Sequence, residues 1–157
     1  SAAISSSTQR LQSELRSDVL LRRLCTVPGI GPVTAGAIAA FAPDLKTFSN
    51  GRNFAAWLGL TPKQHSSGGK TSLGSITKRG SVYLRTLLIH GARAALRAAR
   101  DKTDPLSLWL QGLCARRNKN VAAVALANKT MRLAWVLLRR EEDYDPLHGH
   151  ARPAQPA

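Results

Sequence analysis

Two adjacent serines, Ser66 and Ser67, stand directly before Gly68 and Gly69, and Lys70 follows. A serine hydroxyl becomes a nucleophile when nearby groups lower the cost of its oxyanion. Cations also stabilise charge that develops on a phosphate under attack. Lys70, Lys78, Arg79 and Arg85 all lie within the next 18 residues. The same stretch, 64–71 (QHSSGGKT), invites comparison with a nucleotide-binding G-x-x-x-x-G-K-[ST] loop. Gln64 stands where the first glycine is needed, and 58–62 (LGLTP) is no buried strand, so that chemistry is set aside. By composition alone the stretch reads first as a Gly/Ser linker, ahead of a nucleophile loop.

A second chemical signal is residues 28–31 (PGIG), followed by Thr34. Glycines let a turn approach a phosphate closely, and the amides that open the next helix point at the anion. Gly29, Gly31 and Thr34 are the candidate contacts of a helix-hairpin-helix motif. An ordinary helical hairpin needs the same glycines. A third is 74–85 (GSITKRGSVYLR), a basic turn that feeds a helix. It reads either as a phosphate site or as a solvated cap. No metal site is legible. His65, His90, His148 and His150 share no ligand spacing with one another or with Cys25 and Cys114.

These residues must be positioned by helices. Residues 9–25 carry an apolar stripe at Leu11, Leu15, Leu21 and Leu24. Residues 33–41 read as a short helix stopped by Pro43, and 51–58 as another, capped by Ser49 or Asn50. Residues 59–80, rich in Gly and Ser, read as a loop. Residues 82–100 form an amphipathic helix with Ser81 as cap. Leu84, Leu87, Leu88, Gly91, Ala92, Ala95 and Ala99 lie on one side, and Arg85, Arg93, Arg97 and Arg100 on the other. Asp104 and Pro105 open a helix over 105–116. Asn118 caps an apolar central helix over 119–139. From Tyr144 the Pro-, Gly- and His-rich tail reads as lacking fixed structure. No segment reads as a strand, so the expected class is all-α.

The chain has 157 residues with 23 Lys and Arg against 9 Asp and Glu, a net charge of +14. Residues 46–140 hold 18 of those bases and two acids, Asp101 and Asp104, a net +16. Such a segment repels itself unless a polyanion meets it. At 43% hydrophobic the chain can bury a core. Two cysteines make neither a disulfide framework nor a four-ligand zinc site. No run of about 18 apolar residues marks a membrane span. The missing initiator Met and the small-residue opening, 1–7, point to a piece of something longer.

Three stretches together resemble one family: 27–35 (VPGIGPVTA); 57–70 (WLGLTPKQHSSGGK) running on through Gly74 and 76–80 (ITKRG) to 83–85 (YLR); and 121–129 (VAAVALANK) with Trp135. Over roughly 15–140 the chain resembles the C-terminal transposase domain of the IS110/IS116 insertion-sequence family. Residues 1–14 would then end a linker or coiled-coil helix, and 141–157 would be a disordered tail. The resemblance implies a DNA recombinase of a bacterial mobile element, with DNA and a guide RNA as partners. It implies a homo-oligomer at the bacterial nucleoid in the cytoplasm, with no membrane. It implies a serine nucleophile in a Ser-Gly motif, matched by Ser67, with Ser66 as second choice. It also implies a RuvC-like N-terminal domain, not contained in this chain, whose acidic cluster would hold Mg²⁺. The fragment itself is expected to carry no cofactor and to be inactive without that domain. The nucleic-acid contacts expected are Gly29, Gly31, Thr34, Lys70, Lys78, Arg79, Arg85, Arg93 and Arg97. The alternative is a non-catalytic helix-hairpin-helix nucleic-acid-binding module.

Overall fold

The fold is organised around its longest helix. The computed structural model describes residues 2–17, 19–41, 47–60, 62–67, 70–76, 81–147 and 150–151. Helix α7 (Lys119–Arg140) buries Ala122, Ala123, Leu126, Ala127, Thr130, Met131, Leu133, Ala134, Leu137 and Leu138. Its small residues let neighbours come close, and its leucines fill the space that remains. Around it pack α2 (Val19–Cys25), α4 (Gly51–Trp57), α5 (Val82–Ala98) and α6 (Pro105–Arg116). Leu24, Phe54, Leu58, Leu84, Leu88 and Leu110 complete this core. Helices α1 (Ala2–Ser17) and α3 (Pro32–Phe41) pack against each other, and α3 also contacts α2 and α5.

Local chemistry sets the helix ends. Asn50 Oδ1 accepts from Asn53 N at 2.8 Å, Ser81 Oγ from Leu84 N at 3.2 Å, and Asn118 Oδ1 from Val121 N at 2.9 Å. Asp104 accepts from Ser107 twice, at N (3.2 Å) and Oγ (2.6 Å), ahead of Pro105 in the first turn. Each cap satisfies a helix amide that has no partner inside the helix. Between α5 and α6 lies a 3₁₀ turn (Ala99–Asp101).

The all-α class expected from the sequence is borne out: seven helices form the body among the described residues. Four details differ. Residues 9–25 are not one helix, because α1 begins at Ala2, ends at Ser17 and is followed by a separate α2. Within the stretch read as a loop, β1 (Pro62–Ser67) and β2 (Lys70–Ile76) pair antiparallel. These strands are short and polar, so they carry no apolar alternation for a sequence reading to find. Third, the tail is not wholly without structure. Tyr144 is buried, and β3 (Tyr144–Asp145) pairs with β4 (His150–Ala151). Fourth, α7 is long and apolar enough to cross a membrane by length and composition, although Lys129 and Arg132 interrupt any unbroken apolar run. In this fold half of that apolar stretch is buried inside the protein.

Candidate nucleic-acid interface and serine hairpin

The candidate nucleophiles are the last two residues of β1. Ser67 pairs with Lys70 and Ser66 with Thr71 across the hairpin, followed by His65 with Ser72 and Gln64 with Leu73. Only Gly68 and Gly69 separate the strands, a pair suited to a two-residue hairpin connection. The fold thus brings Ser67 and Lys70 into one backbone pair. Lys78 and Arg79 lie outside the described residues.

The hairpin leaves the body at the end of α4. Gly59 (φ +74) closes that helix, with its N–H on Ala56 O at 3.0 Å and Leu60 N–H on Ala55 O at 3.2 Å. A left-handed glycine is the usual solution at such an end. Two side chains then hold the chain where it departs. Arg85 Nη1 donates to Leu58 O at 3.4 Å, and Asn128 Nδ2 donates to Leu60 O at 3.0 Å. One donor comes from α5 and the other from α7, so both core helices fix the root of the hairpin.

This corrects the role expected for Arg85. It is only 9% exposed and does not stand on the basic face of α5. An arginine can lay its aliphatic stem along apolar surface and spend its guanidinium on carbonyls. Arg93 and Arg97 are exposed as the sequence placed them, and Arg100 with them. Arg93 Nη2 reaches Asn120 Oδ1 at 3.3 Å.

The glycine turn lies between α2 and α3. Gly29 has φ +94, and Ile30 N–H returns to Val27 O at 3.0 Å. Val27 and Ile30 are buried beneath it. Gly29 rests on the backbone of Gly91 in the middle of α5. A Cβ on Gly91 would collide with the Gly29 carbonyl oxygen, and one on Gly29 would lie 3.4 Å from Gly91 C and O. Close packing is therefore one reason for these two glycines. Thr34 is also corrected. It is 6% exposed, so its side chain is a core group of α3 and not a surface contact. Gly31 is exposed, and nothing lies within 4 Å of where its Cβ would be. Of the three expected contacts on this turn, Gly31 is the accessible one.

The chain beyond α7 returns to the same turn. Tyr144 N–H donates to Thr26 Oγ1 at 3.2 Å, and Arg23 Nε pairs with Asp143 at 3.6 Å. Both serve to dock the start of the tail. Burial pushes the Tyr144 phenol up to about 12, with the charges of Asp104 and Asp145 acting the same way. Burial also raises the Cys25 thiol.

The sequence reading did not find a second basic concavity. Arg52, Lys129 and Arg132 surround a cavity of about 550 Å³ between α4 and α7, beside Trp135. Lys129 Nζ lies 5.1 Å from the centre of the Trp109 ring, and Arg139 lies 5.3 Å from that of Trp135. These are cation–π distances. Helical periodicity could have placed Lys129 and Arg132 on α7, but only packing brings Arg52 beside them. Among the described residues no group of three or more His, Cys, Asp or Glu could hold a metal ion. The Mg²⁺ that the resemblance implies has no such ligand set among the described residues.

Residues 21–105 match the model of the family described as "Transposase IS116/IS110/IS902 family". That span runs from α2 through the glycine turn, the serine hairpin and α5, and it is more than half of the chain. The chain belongs to this transposase family. It is 56% identical over 145 residues to a "Probable family 20 transposase" of Pseudomonas aeruginosa, covering 92% of this chain and 43% of that relative. It is 46% identical over 142 residues to the "Transposase for insertion sequence element IS1111A" of Coxiella burnetii, covering 90% of this chain and 39% of the relative. The chain thus spans about two-fifths of the length of these curated relatives. Their similarity extends beyond the family match, through α6 and α7.

Proposed function

We propose that this chain is the nucleic-acid-contacting, nucleophile-bearing part of an insertion-sequence transposase, with Ser67 as the attacking residue. The observation that carries the reading is the Ser67–Lys70 backbone pair at the hairpin end, in a chain that belongs to a transposase family. In the step proposed, Ser67 Oγ bonds to a DNA phosphorus and loses its proton. The bond from that phosphorus to one sugar oxygen breaks, and the sugar leaves as a hydroxyl after taking up a proton. The phosphoserine ester keeps the phosphodiester's energy, so the reverse attack by another strand's hydroxyl can reseal DNA without ATP. Lys70, Lys78 and Arg79 are the cations proposed to steady nearby phosphates. Gly31 and the arginine face of α5 are proposed to hold the nucleic-acid backbone, as a helix-hairpin-helix contact does. DNA is the proposed substrate, a guide RNA the proposed second partner, and a homo-oligomer the proposed working form.

The test is a trapping experiment in the full-length transposase with its cognate RNA, Mg²⁺ and a nicked DNA that stalls resealing. After digestion, mass spectrometry should find a nucleotide on the peptide containing Ser67, and Ser67→Ala should abolish it. An adduct on Ser66 would keep the mechanism and move the residue. Normal recombination by Ser67→Ala would sink the proposal. Salt-sensitive binding without any adduct would leave the non-catalytic nucleic-acid-binding module as the reading.

A further inference from the structure

A cavity of about 430 Å³ opens where the end of α5 faces α6 and the start of α7. Arg93, Arg97, Arg100 and Lys119 stand around it, and no Asp or Glu is among its lining residues. Among the described residues no carboxylate lies within ion-pair distance of any of these four cations. Arg93 and Arg97, spaced i, i+4, lie on one face of α5, and Arg100 follows in the 3₁₀ turn. Of the apolar lining residues Leu96 is half-buried and keeps accessible surface, whereas Ala99 and Leu110 are only 4% and 2% exposed and belong to the core behind it. Gln111 fixes this wall. Its Nε2 donates to Ala99 O (2.8 Å), Arg100 O (3.2 Å) and Lys102 O (2.8 Å), stitching α6 to the turn that follows α5. Cys114, exposed, lies on the same lining.

Charge and shape together narrow the occupant. Four cations with no carboxylate beside them among the described residues call for an anion, and the polyanion proposed for this chain is nucleic acid. A duplex backbone running over the rim would leave the concavity empty. A bare phosphate would leave its apolar wall wet. A single nucleotide with its base turned out satisfies both, with phosphate on the cations and base against Leu96 and the aliphatic stems of the arginines. The volume lies in the range of about 300–1,000 Å³ typical of small-ligand sites. Unpaired bases are held in this way between apolar side chains and guanidinium planes, whether in RNA loops or when a base is extruded from a duplex.

We infer that this cavity is a receptor for one unpaired nucleotide of a bound strand. Its phosphate lies on Arg93, Arg97 and Lys119, and its base lies on Leu96. The inference rests on the nucleic-acid reading above but not on the serine chemistry. It adds Arg100, Lys119 and Asn120 to the contact set, with Asn120 Oδ1 accepting from Arg93 and its Nδ2 offered to the base edge.

Cys114 reports occupancy without any substitution. The 157-residue chain is alkylated with iodoacetamide, and the rates at Cys114 and Cys25 are read by peptide mass spectrometry. The probes are 5′-phosphorylated oligothymidylate and oligouridylate about ten nucleotides long, within the usual span of single-strand sites, and a DNA duplex of the same length. Binding of each is followed in parallel by fluorescence anisotropy. With a single strand at about ten times its Kd, Cys114 alkylation should slow about tenfold, because only the unliganded fraction reacts. The duplex at matched occupancy should give little protection, and Cys25 should be unaffected. Lys119→Glu should weaken the single strand and restore Cys114 reactivity. The DNA and RNA arms identify which strand the receptor takes. Equal protection by duplex and single strand would mean a backbone track and overturn the receptor. Tight single-strand binding with Cys114 fully reactive would also overturn it, while leaving nucleic-acid binding intact. Binding of none of the probes would remove the nucleic-acid reading and the receptor with it.

Discussion

Several residues in this chain are constrained by what touches them more than by the chemistry their type invites. Gly91 sits in mid-helix, where glycine is unfavourable by roughly 1 kcal/mol relative to alanine. It is accounted for by the Gly29 carbonyl resting where a Cβ would be. Gly91→Ala should therefore destabilise the protein by about 1–3 kcal/mol through overpacking, read as a lower denaturant midpoint. An unchanged midpoint would mean that the glycine turn does not rest on α5. Tyr144 offers the opposite case. Its hydroxyl is buried and has no partner among the described residues. Tyr144→Phe should be neutral or stabilising by about 1 kcal/mol or less at pH 7, since an unsatisfied polar group is removed. The phenol's folded pKa, about 12, lies above its ordinary value near 10. Its contribution to stability is therefore whole below pH ~10 and is lost as pH rises toward the folded value. Unfolding midpoints measured between pH 9 and 12 should fall less steeply in Tyr144→Phe than in the parent.

At the scale of elements, helix caps and a clamped root position the site. Asp104 satisfies the start of α6, and its bond from Ser107 holds the carboxyl below the usual range. Asp104→Ala should cost about 1 kcal/mol of stability. Because the folded pKa is the lower one, this contribution is present above the ordinary carboxylate pKa and is lost as pH falls through the folded value. Asn118→Ala on α7 should carry a similar cost without the acid dependence, which separates cap from charge in an acid titration of the unfolding midpoint. The serine hairpin depends on elements distant in sequence. Arg85 and Asn128 hold the carbonyls of Leu58 and Leu60, so the strands leave the body from a fixed point even though they are short and polar.

Across the whole molecule the dominant quantity is charge, at +14. Binding to nucleic acid should weaken linearly on a log–log salt plot, and Arg97→Ala should reduce that slope by about one unit. Arg85→Ala should instead lower the unfolding midpoint with little change of slope, since its guanidinium serves Leu58. Fluorescence titrations at several salt concentrations, with denaturation curves alongside, distinguish the two arginines. That contrast marks how far the sequence reaches. Local information was enough for the caps Ser81, Asp104 and Asn118, for Asn50 as one of two candidates beside Ser49, for much of the buried face of α5, for the central place of α7, and for the basic excess over 46–140. Each of these depends on neighbours within a turn or two of helix, or on composition. The 27–35, 57–85 and 121–129 motifs were likewise enough for the family. The hairpin within the Gly/Ser stretch escaped notice because polar strands lack an apolar period. The burial of Arg85 and Thr34, the contact of Gly29 with Gly91 and the docking of Tyr144 were decided only by tertiary packing. So was the cavity between α5, α6 and α7, because each joins residues that are far apart in the chain and adjacent only after the helices close around α7.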